Sequence, residues 1–394
     1  MSARPQDHTG ARIKRHRLER QLTQKALSDI SGVAYSTLTK TEQGVIPATP
    51  YVLSCLARAL RIDVSALNGQ PYATELRADE LDILILPIRE ALDLYDLGVD
   101  PDVAPRSRER LAAEAEGLCV SVRAGQLKRA ASRVAALIEE ATTSAHAGAA
   151  SEDWLTLASA YRTAYDVATK LGYPDLAALA LTRMDWAAGR ASSAVVCGIS
   201  RYMRALSYLR AGQYKTGRRL VTLGLETVGQ ADVGREREVV TGQLHLGAAV
   251  IAGRSQNLTG AKEHLAEAER IATGTGEAVK VWWLAFGPAN VAVHRVSVLA
   301  EANEYEAAVR AGADLSLPGD WPSSRTSHHF AELSQSQLWT GDVDGAFRSL
   351  VRARKAAPQQ ARYSPTVRQT YQGLESAKRR LPGDFLSFGS WLGY

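Results

Sequence analysis

Cysteine is nearly absent. Cys55, Cys119 and Cys197 are the only three in 394 residues, far apart and without a CxxC pair. That spacing suggests neither a disulfide framework nor a zinc site, and all three read as small buried hydrophobes. No apolar run approaches the ~20 residues needed to span a bilayer. The opening Met1-Ser2-Ala3-Arg4-Pro5-Gln6 lacks the apolar core of a signal peptide, so a cytoplasmic location is expected. No stretch after the first seventy residues shows sustained strand alternation. There is no P-loop, no GxGxxG after a strand, no HExxH and no GxSxG. His294 and His328-His329 lack carboxylate or Cys partners at metal-ligand spacing. Catalysis, a metal and a cofactor are therefore not expected.

What remains is helical and unevenly charged. The chain is 45% hydrophobic and 23% charged, with a net charge of +5. Residues 1–68 hold ten bases against five acids, which is the whole excess; the other 326 residues balance. A basic excess confined to one segment is the footprint of phosphate contact.

That segment has a definite pattern. Residues 1–9 read as a loose arm, followed by a helix over about 11–21 with Ile13 and Leu18 inward. Thr23 looks like an N-cap for a short helix with Ala26, Leu27 and Ile30 on one face. Gly32-Val33 makes a tight turn, and 34–43 form a second short helix stopped by Gly44. Val33 and Leu38 anchor that helix and leave Tyr35, Ser36, Thr37, Thr39 and Lys40 outward. A fourth helix over 50–60 carries Leu53, Leu56, Ala57 and Leu60. Asp63 caps a fifth that ends near Leu67, and Asn68-Gly69-Gln70-Pro71 marks a boundary.

This stretch resembles the lambda-repressor-like, or XRE-type, helix-turn-helix domain. The resemblance rests on Thr23-Gln24, Ala26, Gly32-Val33, Leu38, Glu42-x-Gly44, Pro47, and Leu56-Ala57-x-Ala59-Leu60 with Leu67. It implies a DNA-binding regulator whose second motif helix enters the major groove. The positions matching its base-facing residues are Tyr35, Ser36 and Lys40, flanked by Thr37 and Thr39. Gln24 matches a residue that touches phosphate and base edges. Arg12, Arg15 and Lys25 are phosphate-clamp candidates. Glu42 matches an intradomain salt-bridge residue, with Arg12 or Arg15 as its expected partner. One such domain reads too few bases, so a homodimer on a two-half-site operator in double-stranded DNA is expected.

Residues 76–96 read as one amphipathic helix interrupted by Pro87, within a connecting segment over 69–104. Over 105–380 a pattern recurs: a small turn residue, then Ala or Gly five positions later, inside paired amphipathic helices. The copies are Gly125…Ala130, Gly172…Ala177, Gly212…Gly217, Gly253…Ala261, Asn303…Ala308 and Gly341…Ala346, the fourth with three extra turn residues. These copies are similar to tetratricopeptide (TPR) repeats with lengthened helices. They imply an all-α chain: a five-helix DNA-binding domain, then an α-solenoid of hairpins, each stacked on the next. Residues 381–394 place Phe385, Phe388, Trp391 and Tyr394 at three-residue spacing, as a cap on the open end of the solenoid.

The resemblance also implies a concave face built from residues thirteen, ten, nine and six positions before each turn residue. These offsets give Arg162 and Asp166, Tyr202, Gln243, Asn290 and His294, and His328 and Gln335. Trp283 and Phe286 join that face if the helix of Asn290 continues upstream past Gly287-Pro288. Aromatics with a few polar groups suit a small molecule or peptide effector. The layout is similar to peptide-responsive regulators and to actinobacterial regulators of this kind, the latter through Phe286-Gly287-Pro288-x-Asn290 and Ala356-Ala357-Pro358. Two readings stand open: an effector sensor that also dimerises, or a protein-docking scaffold tethered to DNA.

Overall fold

The computed structural model describes residues 8–313, 315–377 and 383–394. The arm expected at the N-terminus and the expected boundary at 380/381 thus lie largely outside the described residues. Among those described, the chain is all-helical; one isolated antiparallel bridge pairs Ala278 with Phe286.

Five helices come first: α1 (Thr9–Glu19), α2 (Gln24–Ser31), α3 (Tyr35–Glu42), α4 (Pro50–Leu60) and α5 (Val64–Asn68). Their starts follow from capping chemistry. The side chains of Thr23, Thr49 and Asp63 accept the N–H of Ala26 (3.1 Å), Val52 (3.2 Å) and Ser65 (2.7 Å). His8 caps α1 the same way, so His8 and Thr9 belong to the start of this helix and not to the arm expected over 1–9. Gly32 ends α2 and Gly44 follows α3, both at positive φ, where a side chain is strained. Ile13, Leu27, Val33, Leu38, Leu53, Leu56, Leu60 and Leu67 form a core of their own. Each fully buried aliphatic side chain contributes roughly 2 kcal/mol toward holding these five short helices together. Leu18 and Ile30, expected inside, are 55% and 61% exposed.

The expected single helix over 76–96 is not formed. The segment breaks into α6 (Ala73–Ala78), one 3₁₀ turn at Asp82–Leu84 and α7 (Ile85–Asp93). Pro87 sits in the first turn of α7, where its missing N–H costs nothing. The segment packs on the repeats. Leu76, Leu81, Ile85, Ile88 and Leu92 belong to the same buried cluster as the repeats.

Six hairpins follow: α8 (Arg108–Arg123) with α9 (Leu127–Gly148), α10 (Ser151–Leu171) with α11 (Pro174–Arg190), α12 (Ala194–Arg210) with α13 (Tyr214–Val228), α14 (Arg235–Arg254) with α15 (Leu258–Thr275), α16 (Pro288–Glu301) with α17 (Tyr305–Ala313), and α18 (Ser323–Trp339) with α19 (Val343–Ala356). The small residue after each turn, from Ala130 to Ala346, is buried. A Cβ at Gly217 would already lie 3.3 Å from the Ala205 carbonyl oxygen, so nothing larger fits where these helices meet.

The fourth turn corrects the expected repeat. Its left-handed residue is Gln256 (φ 61°), five positions before Ala261, as in the other copies. Gly253 instead lies inside α14, where a Cβ would sit 3.1 Å from the Val298 carbonyl oxygen. The repeat therefore has no insertion; a packing glycine mimicked a turn glycine.

The stack ends in α20 (Pro358–Arg362), α21 (Pro365–Ala377) and α22 (Gly383–Leu392). Phe385 and Phe388 pack on Phe347 and Tyr371, the rings of Tyr371 and Phe385 stacked at 4.5 Å. The expected open end does not exist, because the stack closes on itself. The Gln359 side chain accepts from the Lys128 N–H (3.0 Å) and Gln360 accepts from Lys170 Nζ (2.7 Å). The Tyr363 hydroxyl donates to Asp79, and Arg368 pairs with Glu75 (3.0 Å). The last helices thus return to α6, α9 and α10, and the solenoid makes one closed turn.

The five N-terminal helices dock on this ring. Arg58 of α4 donates to the Gly212 carbonyl, and Gln369 donates to Asn68 (2.8 Å). A Cβ at Gly212 would meet Ser54 Cβ at 2.6 Å, so the turn of the third hairpin admits α4 only as glycine. No helix among the described residues is long and apolar enough to cross a membrane.

Candidate functional site

The first candidate surface is α3. Tyr35, Ser36 and Lys40 are exposed, Tyr35 at 53%, while Thr37 and Thr39 are half-buried beside them. Leu38 and Thr41 point inward and fix the roll of the helix. Lys25 on α2 and Arg15 on α1 are also exposed. The contacts with the ring come from α4 and the chain around Asn68, and leave this face open.

Beneath it lies a buried ionic knot. Glu42 accepts from Arg17 Nε (2.7 Å) and Nη2 (2.9 Å), and from Gln24 Nε2 (2.7 Å). Arg17 Nη1 donates to the Leu22 carbonyl (2.8 Å). The bond to Glu42 raises the Arg17 pKa above its ordinary value. One carboxylate thereby ties α1, α2 and α3 into fixed mutual angles. The partner of Glu42 is Arg17, not Arg12 or Arg15 as expected. Gln24 is turned toward Glu42, which fixes its amide at the start of α2.

Arg12 also departs from expectation. It is buried, and its guanidinium donates to the carbonyls of Leu67 (2.8 Å) and Asn68 (3.1 Å) and to Thr9 (3.2 Å). It closes the C-terminal end of α5, where carbonyls lack helical partners. A guanidinium spent inside the fold cannot clamp phosphate.

The second candidate lies inside the ring. Tyr202, Gln243 and Asn290 are buried and joined in series. Asn290 Nδ2 donates to Gln243 Oε1 (3.1 Å), and Gln243 Nε2 donates to the Tyr202 hydroxyl (2.7 Å). Arg325 of α18, a residue the offsets missed, donates to Asn290 Oδ1. The chain of bonds crosses α12, α14, α16 and α18. Gln243 keeps its place after the turn correction, because it lies thirteen positions before Gln256.

Arg162 is 4% exposed and donates to the Trp282 carbonyl. Burial lowers its pKa, and the charge of Arg123 adds to that. Asp166 pairs with Arg123 (2.8 Å). His294 is buried, with Nδ1 2.8 Å from the Asn290 carbonyl oxygen. Burial pushes its pKa down to about 3, so it is the neutral donor in that bond. His328 is exposed and paired with Glu332 (3.2 Å). Gln335 is half-buried farther along α18.

The aromatic floor is not where it was expected. α16 begins at Pro288, so Trp283 and Phe286 are not on its face. Phe286 is fully buried, its ring filling the space a side chain at Gly242 would need. Trp283 ends a 3₁₀ turn, Val281–Trp283, and Trp282, Trp283 and the nearby Ala285 all have positive φ. Three side-chain-bearing residues in that region cost on the order of 1–3 kcal/mol each. No helical period foretells such a segment.

A family model described as helix-turn-helix matches residues 13–67. No curated protein and no solved structure matches the chain. The matched family supports reading the N-terminal helices as the DNA-binding part of a transcriptional regulator. Among the described residues, no three His, Cys, Asp or Glu are placed to hold a metal ion.

Proposed function

We propose that the chain is a sequence-specific transcriptional regulator. Residues 1–68 read an operator in double-stranded DNA through Tyr35, Ser36 and Lys40, while Arg15 and Lys25 hold phosphates. The carrying observation is the open face of α3, held at a fixed roll by the Arg17–Glu42–Gln24 knot. The basic excess of the same segment supports it. The test is binding of the full chain to duplex DNA at several salt concentrations. The logarithm of affinity should fall linearly with that of salt, by about 0.9 for each phosphate contacted. Salt-independent binding, or none, overturns the reading.

Residues 105–380 serve, in this reading, as a TPR-like sensor that encloses a small effector and supports a homodimer. The closed turn and its buried polar chain support an enclosed site. The scaffold alternative has an observation of its own. Tyr202, Gln243 and Asn290 bond to one another, as purely structural groups would. Sedimentation of the full chain, with and without operator, tests the dimer; a monomer on a two-half-site operator removes it.

A further inference from the structure

The balanced charge of residues 69–394 hides an uneven interior. Arg123, Lys170 and Arg210 each lie two residues before a turn glycine, on successive hairpins. Arg254 holds the same position before Gln256, but Glu301 of the next hairpin pairs with it. Of the first three, Arg123 pairs with Asp166, whereas Lys170 donates to Gln360 (2.7 Å) and Arg210 to the Tyr165 hydroxyl (3.5 Å), neither of them a carboxylate. Arg162 is buried, Arg123, Lys170 and Arg325 are half-buried and Arg210 is exposed. Gln360 brings two of them together, accepting from Lys170 Nζ (2.7 Å) and donating to the carbonyl of Ser324 (2.8 Å), the residue before Arg325. The charges of Arg123, Arg210 and Arg325 act on Lys170, and that of Arg123 acts on Arg162 and Arg325. Two carboxylates share the region, and both are engaged. Asp166 pairs with Arg123, and Glu332 accepts from Ser297 and pairs with His328.

The hydrogen bonds tell the same story. Nε of Arg123, Arg162 and Arg325 is shielded from solvent and has no acceptor among the described residues. Buried guanidinium donors left without acceptors cost free energy, and buried like charges add to it. A chain that needed only a scaffold could place apolar residues at these positions at no such cost. The missing components are acceptor oxygens and negative charge.

We infer that the centre of the ring binds a small anion, a carboxylate- or phosphate-bearing effector, between Arg162, Lys170 and Arg325. The inference rests on the sensor reading given above and names the chemistry of its effector. Guanidinium forks match the paired oxygens of either group. The chain Arg325–Asn290–Gln243–Tyr202 then has a role: it positions Arg325 from behind and leaves the anion to the cations. Lys170 donates to Gln360 on α20. Three residues on, the Tyr363 carbonyl accepts from Gln70 (3.4 Å), next to the DNA-binding helices. Arg210 lies two residues from Gly212, the acceptor for Arg58. An anion drawing Lys170 and Arg210 inward therefore acts beside two of the contacts between those helices and the ring, Gln70–Tyr363 and Arg58–Gly212. That supplies differential affinity between two states.

The test is thermal melting of the full chain at matched ionic strength. The probes are inorganic pyrophosphate, glutarate, sodium chloride and an uncharged capped tripeptide. Pyrophosphate or glutarate should raise the melting temperature by several degrees over chloride, and whichever acts distinguishes phosphate from carboxylate. The double variant Lys170→Met, Arg325→Gln should lose that shift while melting, without anion, no lower than the parent. A shift that persists in the double variant places the anion elsewhere, on the DNA-binding face, and overturns the inference. A shift with the tripeptide alone keeps an effector but refutes its charge. No shift with any probe, together with an unliganded double variant that melts lower, assigns the cations to the scaffold and removes both readings.

Discussion

The DNA-binding helices and the ring both depend on cations, but they place them oppositely. In the first, Lys14, Arg15, Lys25 and Lys40 are on the surface, and the two buried guanidinium groups, Arg12 and Arg17, are bonded to carbonyls or to a carboxylate. In the ring Arg162 is buried and Arg123, Lys170 and Arg325 are half-buried, and four guanidinium Nε atoms, those of Arg123, Arg162, Arg325 and Arg362, are shielded from solvent with no hydrogen-bond acceptor among the described residues. Net charge detects the first arrangement and is blind to the second, since 326 residues of zero net charge conceal a basic centre. Exposed charge announces a partner of opposite sign by composition. Buried charge announces one only through the accounting of hydrogen bonds.

The largest expected effect breaks the comparison on the side where the charge is satisfied. Glu42→Ala should destabilise the N-terminal helices by about 3–5 kcal/mol, because it leaves Arg17 buried without its counter-ion. Denaturant unfolding followed within residues 1–68 checks it. A loss below 1 kcal/mol would mean that the knot adds nothing beyond the apolar core.

The next effect separates the regions by pH. Burial lowers His294 to about 3 and His329 to about 4. Folded histidines with depressed pKa values reject the proton that the unfolded chain accepts near 6.5. Their contribution is intact above pH 6.5 and is lost as pH falls toward 3–4. By pH 5 the loss should be on the order of 2 kcal/mol for each, and it should fall on the ring alone. Melts at pH 7.5 and 5.0 of the parent and of His294→Gln check this; the variant should lose less. Equal acid sensitivity in both proteins would remove His294 from the account.

How much of this was legible follows the same division. Thr23, Gly32, Val33 and Leu38 specify their helices by local rules, so α2 and α3 were readable to within a residue or two. Six hairpins were readable because turn and packing residues recur five apart. Ring closure was not, since Tyr363–Asp79 and Arg368–Glu75 join positions nearly three hundred residues apart and no period connects them. Arg17 was missed because a basic run offers several partners to Glu42, and only the roll of α1 chooses among them. The basic residue two positions before successive turns was visible in the sequence.

Specificity should respond more gently. Lys40→Ala and Ser36→Ala should each narrow the gap between operator and random duplex by about 1–3 kcal/mol for a lost base contact. Competition isotherms with both duplexes check it. If Lys40→Ala weakens both alike, Lys40 holds a phosphate and reads no base.

The smallest effect sharpens the comparison within a single helix. Arg12 and Arg15 lie one turn apart on α1, yet one is buried and the other exposed. Arg15→Ala should leave stability within about 0.5 kcal/mol, as surface changes do. It should lower the salt slope by about 0.9, the share of one phosphate. Arg12→Ala should do the reverse. Carbonyls at the end of α5 lose their donor, so the domain should melt earlier, by an amount equivalent to roughly 1–3 kcal/mol. The salt slope should stay fixed, because that guanidinium never faced the DNA. Paired melts and salt titrations of the two variants decide the point. A slope that falls for Arg12→Ala would mean the end of α5 opens when DNA binds, and the burial seen here would belong to the free protein alone.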